Sequence, residues 1–364
     1  MQLKEITSIF EEFAPLTLQE SYDNSGLIIG SPEQEITGIL LTIDVTEEVV
    51  DEAIDKNANL IIAHHPFIFS GLKKITGNSY IERTAIKAIK HNVAIYAAHT
   101  NIDAVHNGVN KKIAEKLNMT NCKILKPLHG MLYKLVSYVP VSHVDIIREA
   151  LFKAGAGCIG DYDSCSFSIQ GKGSFRGNEL TNPFVGEKEK LHFEDEIRFE
   201  TIFPKHLQDK IIKSLLEVHP YEEVAYDIYP LENIFDKAGA GIIGQLEHPA
   251  KELAFLEKIK KIFNTKCIRY TSLISKPIEK VAVCGGSGSF LLDDAIKQGA
   301  DIFITADFKY HQFFQPEKKI IIADIGHYES EQFTKEIFYE ILTKKFSTFA
   351  VYFSGINTNP IKYL

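Results

Sequence analysis

The sequence lacks the features of a membrane protein, a disulfide framework or a thiolate zinc site. None of its 364 residues belongs to an apolar run of eighteen, and the opening residues, Met1 to Ile6, contain no apolar signal core. The five cysteines are scattered and form no CxxC pair, which indicates free thiols in a reducing compartment. We therefore expect a cytoplasmic protein with no membrane partner.

An excess of positive charge is also missing. The 40 Lys and Arg residues are outnumbered by 48 Asp and Glu residues, which gives a formal net charge of −8. A nucleic-acid partner is not expected, because such partners require a basic surface. The remaining composition, with 45% hydrophobic and 24% charged residues, is typical of globular proteins. A chain of this length exceeds one hydrophobic core, so two or three domains are expected.

The two outer parts of the chain alternate strand-like and helix-like runs. Buried strands are predicted at residues 38–44 and 60–63, with a capped helix at 46–55 between them. The pattern returns near the other end, with a strand at 301–307 and a helix over about 329–344. Such alternation predicts a mostly parallel sheet.

The middle of the chain follows a different order, βαββαβ, which is typical of a ferredoxin-like domain. Its predicted elements are residues 132–139, 143–154, 165–175, 197–203, 206–218 and 224–229. We therefore predict an α/β protein in which this domain is inserted into a split, mostly parallel α/β core. The expected boundaries are 1–128 and 235–364 for the two halves of the core, and 129–234 for the insert.

Histidines and carboxylates follow four of the apolar runs. Because ligands of open α/β sheets bind outside the carboxyl ends of the strands, these side chains predict one shared site. They are His64 and His65, His99 and Asp103, Asp307 and His311, and His327 and Glu331.

Taken singly, these residues also have ordinary structural explanations. A histidine can be a structural residue at a strand end, Asp103 a turn residue, and Glu331 a helix cap. Two adjacent histidines after an apolar run favour a ligand pair, and His327 and Glu331 are four apart on one helix face. Two interpretations are open for His99, Asp307 and His311. They orient the ligands or carry protons, or they are ordinary polar residues at strand ends and helix caps.

Three imidazoles and two carboxylates are too many for one four-coordinate ion with an open position. Two ions sharing a carboxylate fit better, and such pairs activate water for hydrolysis. We expect two divalent ions per subunit, zinc in the first place, with iron or manganese as alternatives.

Two further motifs receive a structural interpretation. The loop Gly285 to Ser289 matches neither a dinucleotide nor a P-loop fingerprint, and is interpreted as a tight turn between strand and helix. The segment His219 to Glu223 carries metal-capable atoms, but a helix-ending turn accounts for it better.

Taken together, the site motifs resemble those of the Nif-three-like family, also called GTP cyclohydrolase I type 2 homologues. The matching segments lie in both outer parts of the chain, at residues 22–30, 64–66, 98–103, 305–311 and 326–331. Two positions depart from the family pattern, with Tyr22 in place of Trp and Ala306 in place of Gly. Neither is a proposed ligand.

The resemblance implies a dinuclear centre with His64, His65, Asp103, His327 and Glu331 as ligands and Glu331 as the bridge. It also implies a ring-shaped homohexamer and an insert resembling the PII and CutA proteins.

Two functional hypotheses follow. The first is a metal-dependent hydrolase acting on a small molecule, with a nucleotide as the first candidate substrate. The second is a non-catalytic ring that senses a ligand or partner through the insert.

Overall fold

The computed structural model describes all 364 residues, which form two compact units, Met1–Pro127 with Asp236–Leu364, and Leu128–Phe235. The α-helices are α1 (Leu3–Phe13), α2 (Glu47–Asp55), α3 (Tyr80–Lys90), α4 (Thr100–Ala104), α5 (Val109–Lys116), α6 (Val144–Ala154), α7 (Gln208–Val218), α8 (Glu252–Ile262), α9 (Leu292–Lys297), α10 (His327–Glu331) and α11 (Thr334–Lys345). The strands are β1 (Gly26–Ile29), β2 (Ile39–Thr42), β3 (Leu60–Ala63), β4 (Ala94–Ala97), β5 (Met119–Leu128), β6 (Leu132–Pro140), β7 (Ser166–Phe175), β8 (His192–Pro204), β9 (Tyr226–Leu231), β10 (Phe235–Ala250), β11 (Arg269–Tyr270), β12 (Ile278–Ser287), β13 (Ile302–Ala306), β14 (Ile321–Asp324) and β15 (Val351–Phe353). None of the helices combines the length and apolarity needed to cross a bilayer.

The first unit contains two sheets with parallel centres. One has the order β1-β4-β3-β2-β15, in which only β1 is antiparallel to its neighbour. The other has the order β11-β14-β13-β12-β10-β5, in which β12, β13 and β14 are parallel, while β11 and β10 pair antiparallel with β14 and β12. The α/β fold class is confirmed. The antiparallel edge strands β1 and β11 and the long strands β5 and β10 were not predicted.

The two faces of the first sheet are both covered, which explains why its strands are continuously apolar. Alternate residues such as Leu60 and Ile62 pack into a core shared with the second sheet, α1 and α11. The intervening Ile61 packs on the other face with α2 and α3. Phe10 of α1 contacts the ring of Tyr96, with ring centroids 5.7 Å apart. This shared core holds the ends of both sheets in fixed positions.

The second unit has the chain order strand, helix, strand, strand, helix, strand. Its antiparallel sheet has the order β7-β8-β6-β9. Leu135, Phe199 and Phe203 of the sheet pack against Leu151 of α6 and Leu215 of α7. Both helices therefore cover the same face of the sheet. All six elements expected in this part of the chain are present, although β8 begins earlier than expected, at His192.

The single helix expected over about residues 329–344 was wrong, because the chain forms α10 and α11 with a break at Gln332 and Phe333. At the break the Thr334 hydroxyl donates to the Glu331 carbonyl (2.7 Å), and the Gln332 amide donates to the Phe263 carbonyl (2.7 Å). A local side-chain bond such as that of Thr334 competes with regular helix bonds. The break lets α10 end at Glu331.

Candidate metal centre

The carboxyl ends of strands from both sheets of the first unit bring the expected residues together. His64 and His65 follow β3, Asp103 lies in α4 after β4, and His327 and Glu331 lie in α10 after β14. The Nε2 atom of His64, which is fully buried, is 3.6 Å from Glu331 Oε1 and 3.8 Å from Asp103 Oδ1. Residues more than 200 positions apart in sequence thus face one another.

Glu331 is the centre of the cluster. Its Oε2 atom lies 3.0 Å from His65 Nε2 and 3.1 Å from His327 Nε2, and these two nitrogens are 3.4 Å apart. The carboxyl group is almost completely buried. One carboxylate therefore faces His64 with one oxygen and the other two imidazoles with the second oxygen.

Three buried atoms of the cluster have no hydrogen-bond partner, namely His64 Nε2, Asp103 Oδ1 and Glu331 Oε2. The short approaches to Glu331 Oε2 do not have the geometry of hydrogen bonds. Buried polar atoms are normally paired, so three unpaired ones at one point require an explanation. A cation bound among them would supply the missing partner, since the atoms are the nitrogen and oxygen donors that divalent metals take.

Three overlapping groups have ligand atoms within 4.8 Å of one another and could hold a metal ion. The groups are His64 with His65 and His99, His65 with His327 and Glu331, and His64 with Asp103 and Glu331. The last two share only Glu331. The residues present could therefore hold a metal ion, and Glu331 is common to two of the groups.

Each imidazole is anchored through its Nδ1 atom. The partners of Nδ1 are the Ala98 carbonyl for His64 (2.9 Å), Asp44 for His65 (2.7 Å), Asp23 for His99 (2.8 Å) and Asp307 for His327 (2.6 Å). When Nδ1–H donates to an oxygen, the Nε2 lone pair of the neutral ring is left to bind a metal. This arrangement, repeated four times, is typical of metal-binding histidines.

The electrostatics of the cluster favour a cation. Burial would lower the pKa of His65, but Asp44 and Glu331 outweigh it and raise the pKa to about 9. In the same way, burial is outweighed by Asp307 and Glu331, which raise the pKa of His327 to about 11. Burial, together with the charge of Glu331, raises the pKa of Asp103 to about 7. In the metal-free protein, protons bound to these side chains thus compensate the negative charge of the cluster. A bound metal ion would take over this role.

The glycine-rich loop after β12 forms one wall of the centre. Gly286 has φ +60°, and a Cβ atom there would lie 2.1 Å from Glu331 Oε1. Its N–H donates to the Ser330 hydroxyl (2.8 Å), next to Glu331 in α10. The loop expected to be a simple turn therefore also makes room for the Glu331 carboxylate.

The three additional candidates have different positions. The His99 ring lies 5.2 Å from the rings of both His64 and His65, within one of the metal-capable groups. Asp307 holds His327 and has a left-handed backbone, with φ +61°. The structure does not bring His311 to the cluster; it lies exposed on a short turn with its ring against Tyr310.

Sequence reasoning missed Asp44 and Asp23, which hold His65 and His99. Asp44 could have been found, because it follows the buried strand β2 just as the histidines follow β3 and β4. Its second oxygen accepts the Thr358 hydroxyl (2.6 Å) from the C-terminal segment. Asp23 lies within the matching segment 22–30, but its role cannot be read from spacing, because it lies in a turn before β1 and reaches His99 only through the fold.

The fold and site define a mixed α/β protein with a buried histidine and carboxylate cluster that could hold metal ions. The family profile of Duf34/NIF3 (NGG1p interacting factor 3) matches residues 1–360. The chain belongs to this family.

Similar proteins agree with this assignment over the full length. Proteins named GTP cyclohydrolase 1 type 2 homolog from Halalkalibacterium halodurans and Bacillus subtilis are each 38% identical, over 99% of this chain and 98% of the relative. A solved structure of a Bacillus cereus protein related to NIF3 is 38% identical with a TM-score of 0.86, and covers 100% of this chain and 99% of its own. A Staphylococcus aureus protein structure is 28% identical with a TM-score of 0.79 and the same coverage.

Proposed function

We propose that this protein is a metal-dependent hydrolase with a dinuclear centre. The proposal rests on one observation. Three buried polar atoms of the cluster have no hydrogen-bond partner, namely His64 Nε2, Asp103 Oδ1 and Glu331 Oε2. Burying these atoms without hydrogen-bond partners has a free-energy cost. Two divalent cations, zinc in the first place and iron or manganese as alternatives, would compensate it.

The proposed ligands divide into two sets that share Glu331. His64 and Asp103 would hold one ion, and His65 and His327 would hold the other, as the two metal-capable groups suggest. When bound, such a pair lowers the pKa of water and so makes a nucleophile available at neutral pH. Asp44 and Asp307 would fix the rings of His65 and His327 in the orientation that this requires.

His99 is our candidate for a group that moves a proton. Its Nδ1 atom is held by Asp23, which also accepts bonds from the Ser25 hydroxyl (2.8 Å) and the Thr100 backbone N–H (3.0 Å). The ring lies against Phe69, at a centroid distance of 5.6 Å. A held imidazole beside the ligand pair can accept or donate a proton at Nε2 without moving.

The name of the relatives directs the choice of the first substrate. Because those relatives are named as homologues of a GTP cyclohydrolase, GTP comes first in the substrate panel, followed by other nucleotides, phosphate esters and amides. Hydrolytic ring opening of GTP consumes water and needs no redox cofactor, which agrees with a site made only of imidazoles and carboxylates.

The test is turnover by the metal-loaded protein. We expect hydrolysis of at least one substrate class by the wild type, and a loss of at least about 100-fold in kcat/KM for Glu331→Gln and His65→Ala. His311→Ala is the matched control, since this histidine is exposed and outside the cluster. The variant should be as active as the wild type. Absence of turnover on the whole panel, with the metal content verified, would contradict the proposal.

A second candidate function is a binding or sensing protein in which the metal ions are structural. It is favoured by one observation, a cavity contained wholly within the second unit. The two candidates differ in what removing the metal does. A sensor would retain ligand binding at the second unit after chelation and would show no turnover, whereas a hydrolase would lose its activity.

A further inference from the structure

The face of the second-unit sheet that is not covered by α6 and α7 borders a cavity of about 580 Å³. Strand alternation assigns the residues to their faces, because Phe199 packs under the helices and its neighbour Arg198 therefore points to the other side. Glu196 lies on the same side as Arg198 and lines the cavity. The volume is within the range of small-molecule binding sites.

The Glu196 carboxylate is the unusual group of this cavity. The residue is only 7% exposed, and its one hydrogen bond comes from the Tyr221 hydroxyl (2.8 Å). No Lys, Arg or His nitrogen lies within ion-pair distance of it. Burying a carboxylate against a single neutral donor is costly. The second oxygen is available to a ligand in the cavity.

The Glu196 carboxyl group lies directly against Gly173, in the space that a side chain there would occupy. A Cβ atom at Gly173 would lie 2.1 Å from Glu196 Oε2, although the glycine backbone is not left-handed. Any larger residue at this position would push the carboxylate away from its place. The three atoms nearest to such a Cβ all belong to the Glu196 carboxyl group.

The segment 219–223, for which the sequence predicts a helix-ending turn, holds the Tyr221 side chain at the edge of the cavity. The Tyr221 N–H donates to His219 Nδ1 (3.2 Å), and His219 Nε2 in turn donates to the Tyr138 carbonyl (3.2 Å). The Tyr221 ring lies 6.1 Å from Phe175 and 6.2 Å from Phe184. Three aromatic rings thus line the cavity beside the carboxylate, which suits a flat ligand group.

The cavity lining contains three cationic and three anionic side chains, but they differ in whether a partner neutralises them. Two of its cations are already paired, Lys172 with Asp195 (3.5 Å) and Arg198 with Glu200 (2.9 Å). Arg176 has no such partner, and three carboxylates, those of Glu196, Glu222 and Glu223, also line the cavity. A ligand group carrying positive charge is therefore favoured over an anion.

We propose that this cavity is a binding site for a small organic ligand with a planar, N–H-bearing cation, such as an amidinium or a guanidinium group. The flat cation forms charge-assisted hydrogen bonds to Glu196, and its plane lies against the aromatic walls. The proposal concerns the second unit alone and does not depend on hydrolysis at the metal centre.

The test uses benzamidine as the probe, because it joins an aromatic ring to an amidinium group. Its dissociation constant is measured by ligand-observed NMR titration of the full chain, with benzoate as the probe of equal shape and opposite charge. We expect benzamidine to bind and benzoate not to bind. Glu196→Gln, which keeps the side-chain shape, should weaken benzamidine binding by at least about 10-fold.

Two further variants make the result decisive. Gly173→Ala displaces the carboxylate without removing it and should weaken benzamidine binding in the same way, while Glu217→Gln, on the exposed surface of α7, should leave it unchanged. The proposal is overturned if benzamidine does not bind at millimolar concentration, for example because a second copy of the chain covers the cavity. It is equally overturned if Glu196→Gln binds as well as the wild type.

Discussion

At the scale of single residues, the candidate centre depends on hydrogen bonds that orient imidazoles. Asp307 is the clearest example of such an orienting group. Its carboxylate lies 2.6 Å from His327 Nδ1 and contacts no other histidine of the cluster. The bond to His327 holds the pKa of Asp307 below its usual range, against the effect of burial. Such a carboxylate makes the opposite ring nitrogen a better metal ligand.

Asp307→Asn should therefore weaken metal binding by about 10–100-fold. The substitution suits the backbone, since Asn tolerates the left-handed conformation of this residue (φ +61°). Metal affinity is measured by competition with a chromophoric chelator. Asp293→Asn, on the exposed side of α9, provides the control and should bind metal like the wild type. Equal affinity of both variants would show that Asp307 has no orienting role.

At the scale of secondary-structure elements, the short helix α10 packs closely against the loop between β12 and α9. Gly286→Ala would place a methyl group against Glu331 Oε1, at 2.1 Å before any adjustment. We expect this variant to lose metal affinity by at least about 10-fold, because the shared carboxylate must move. Metal content after dialysis against limiting zinc measures the effect.

Gly299→Ala is the matched control for this substitution. Gly299 is also left-handed (φ +72°), but a Cβ atom there would meet nothing within 4 Å. Both variants should lose about 1 kcal/mol of unfolding free energy from backbone strain alone. Only Gly286→Ala should lose metal. If both variants bound metal equally well, the proposed contact with Glu331 would be irrelevant.

The elements also show what the sequence could and could not predict. Buried strands such as β3 and β4 were predictable, because continuous apolar runs followed by His64 and His99 are local signals. Strand β10, with its exposed residues and Gly-rich start, has no such periodic signal. Asp23 could not be assigned either, since its contact with His99 spans 76 positions and depends on the antiparallel pairing of β1.

At the scale of the whole molecule, the cluster links folding stability to pH. A group whose pKa is higher in the folded than in the unfolded protein favours folding when it is protonated in both states. This contribution is complete at a pH below the pKa of the unfolded state, and it is lost as the pH rises through the pKa of the folded state. The pKa of His65 is raised to about 9 and that of Asp103 to about 7. These groups therefore make the metal-free protein less stable as the pH rises from about 4 to 9.

We expect the urea midpoint of the chelator-treated protein to fall between pH 6.5 and 9, and added zinc to reverse most of this fall. Zinc has this effect because it takes the place of the protons at His65 and its neighbours. The matched variant His65→Gln should show a shallower fall, since it lacks one of the titrating groups. A midpoint of the metal-free wild type that rises over this range would contradict the electrostatic argument.

The homohexamer implied by the family resemblance stays a prediction. Light scattering of the metal-loaded chain should give about six times the mass of one chain, 41.0 kDa. The mass of a monomer or dimer at micromolar concentration would contradict it.

Anomalous diffraction from crystals grown with zinc would locate the two ions that we propose to share Glu331. Two anomalous peaks per chain are expected. One should lie within coordination distance of His64, Asp103 and Glu331, and the other within that distance of His65, His327 and Glu331, with about 3.5–4 Å between them. A single peak, or peaks that do not contact Glu331, would contradict this proposal.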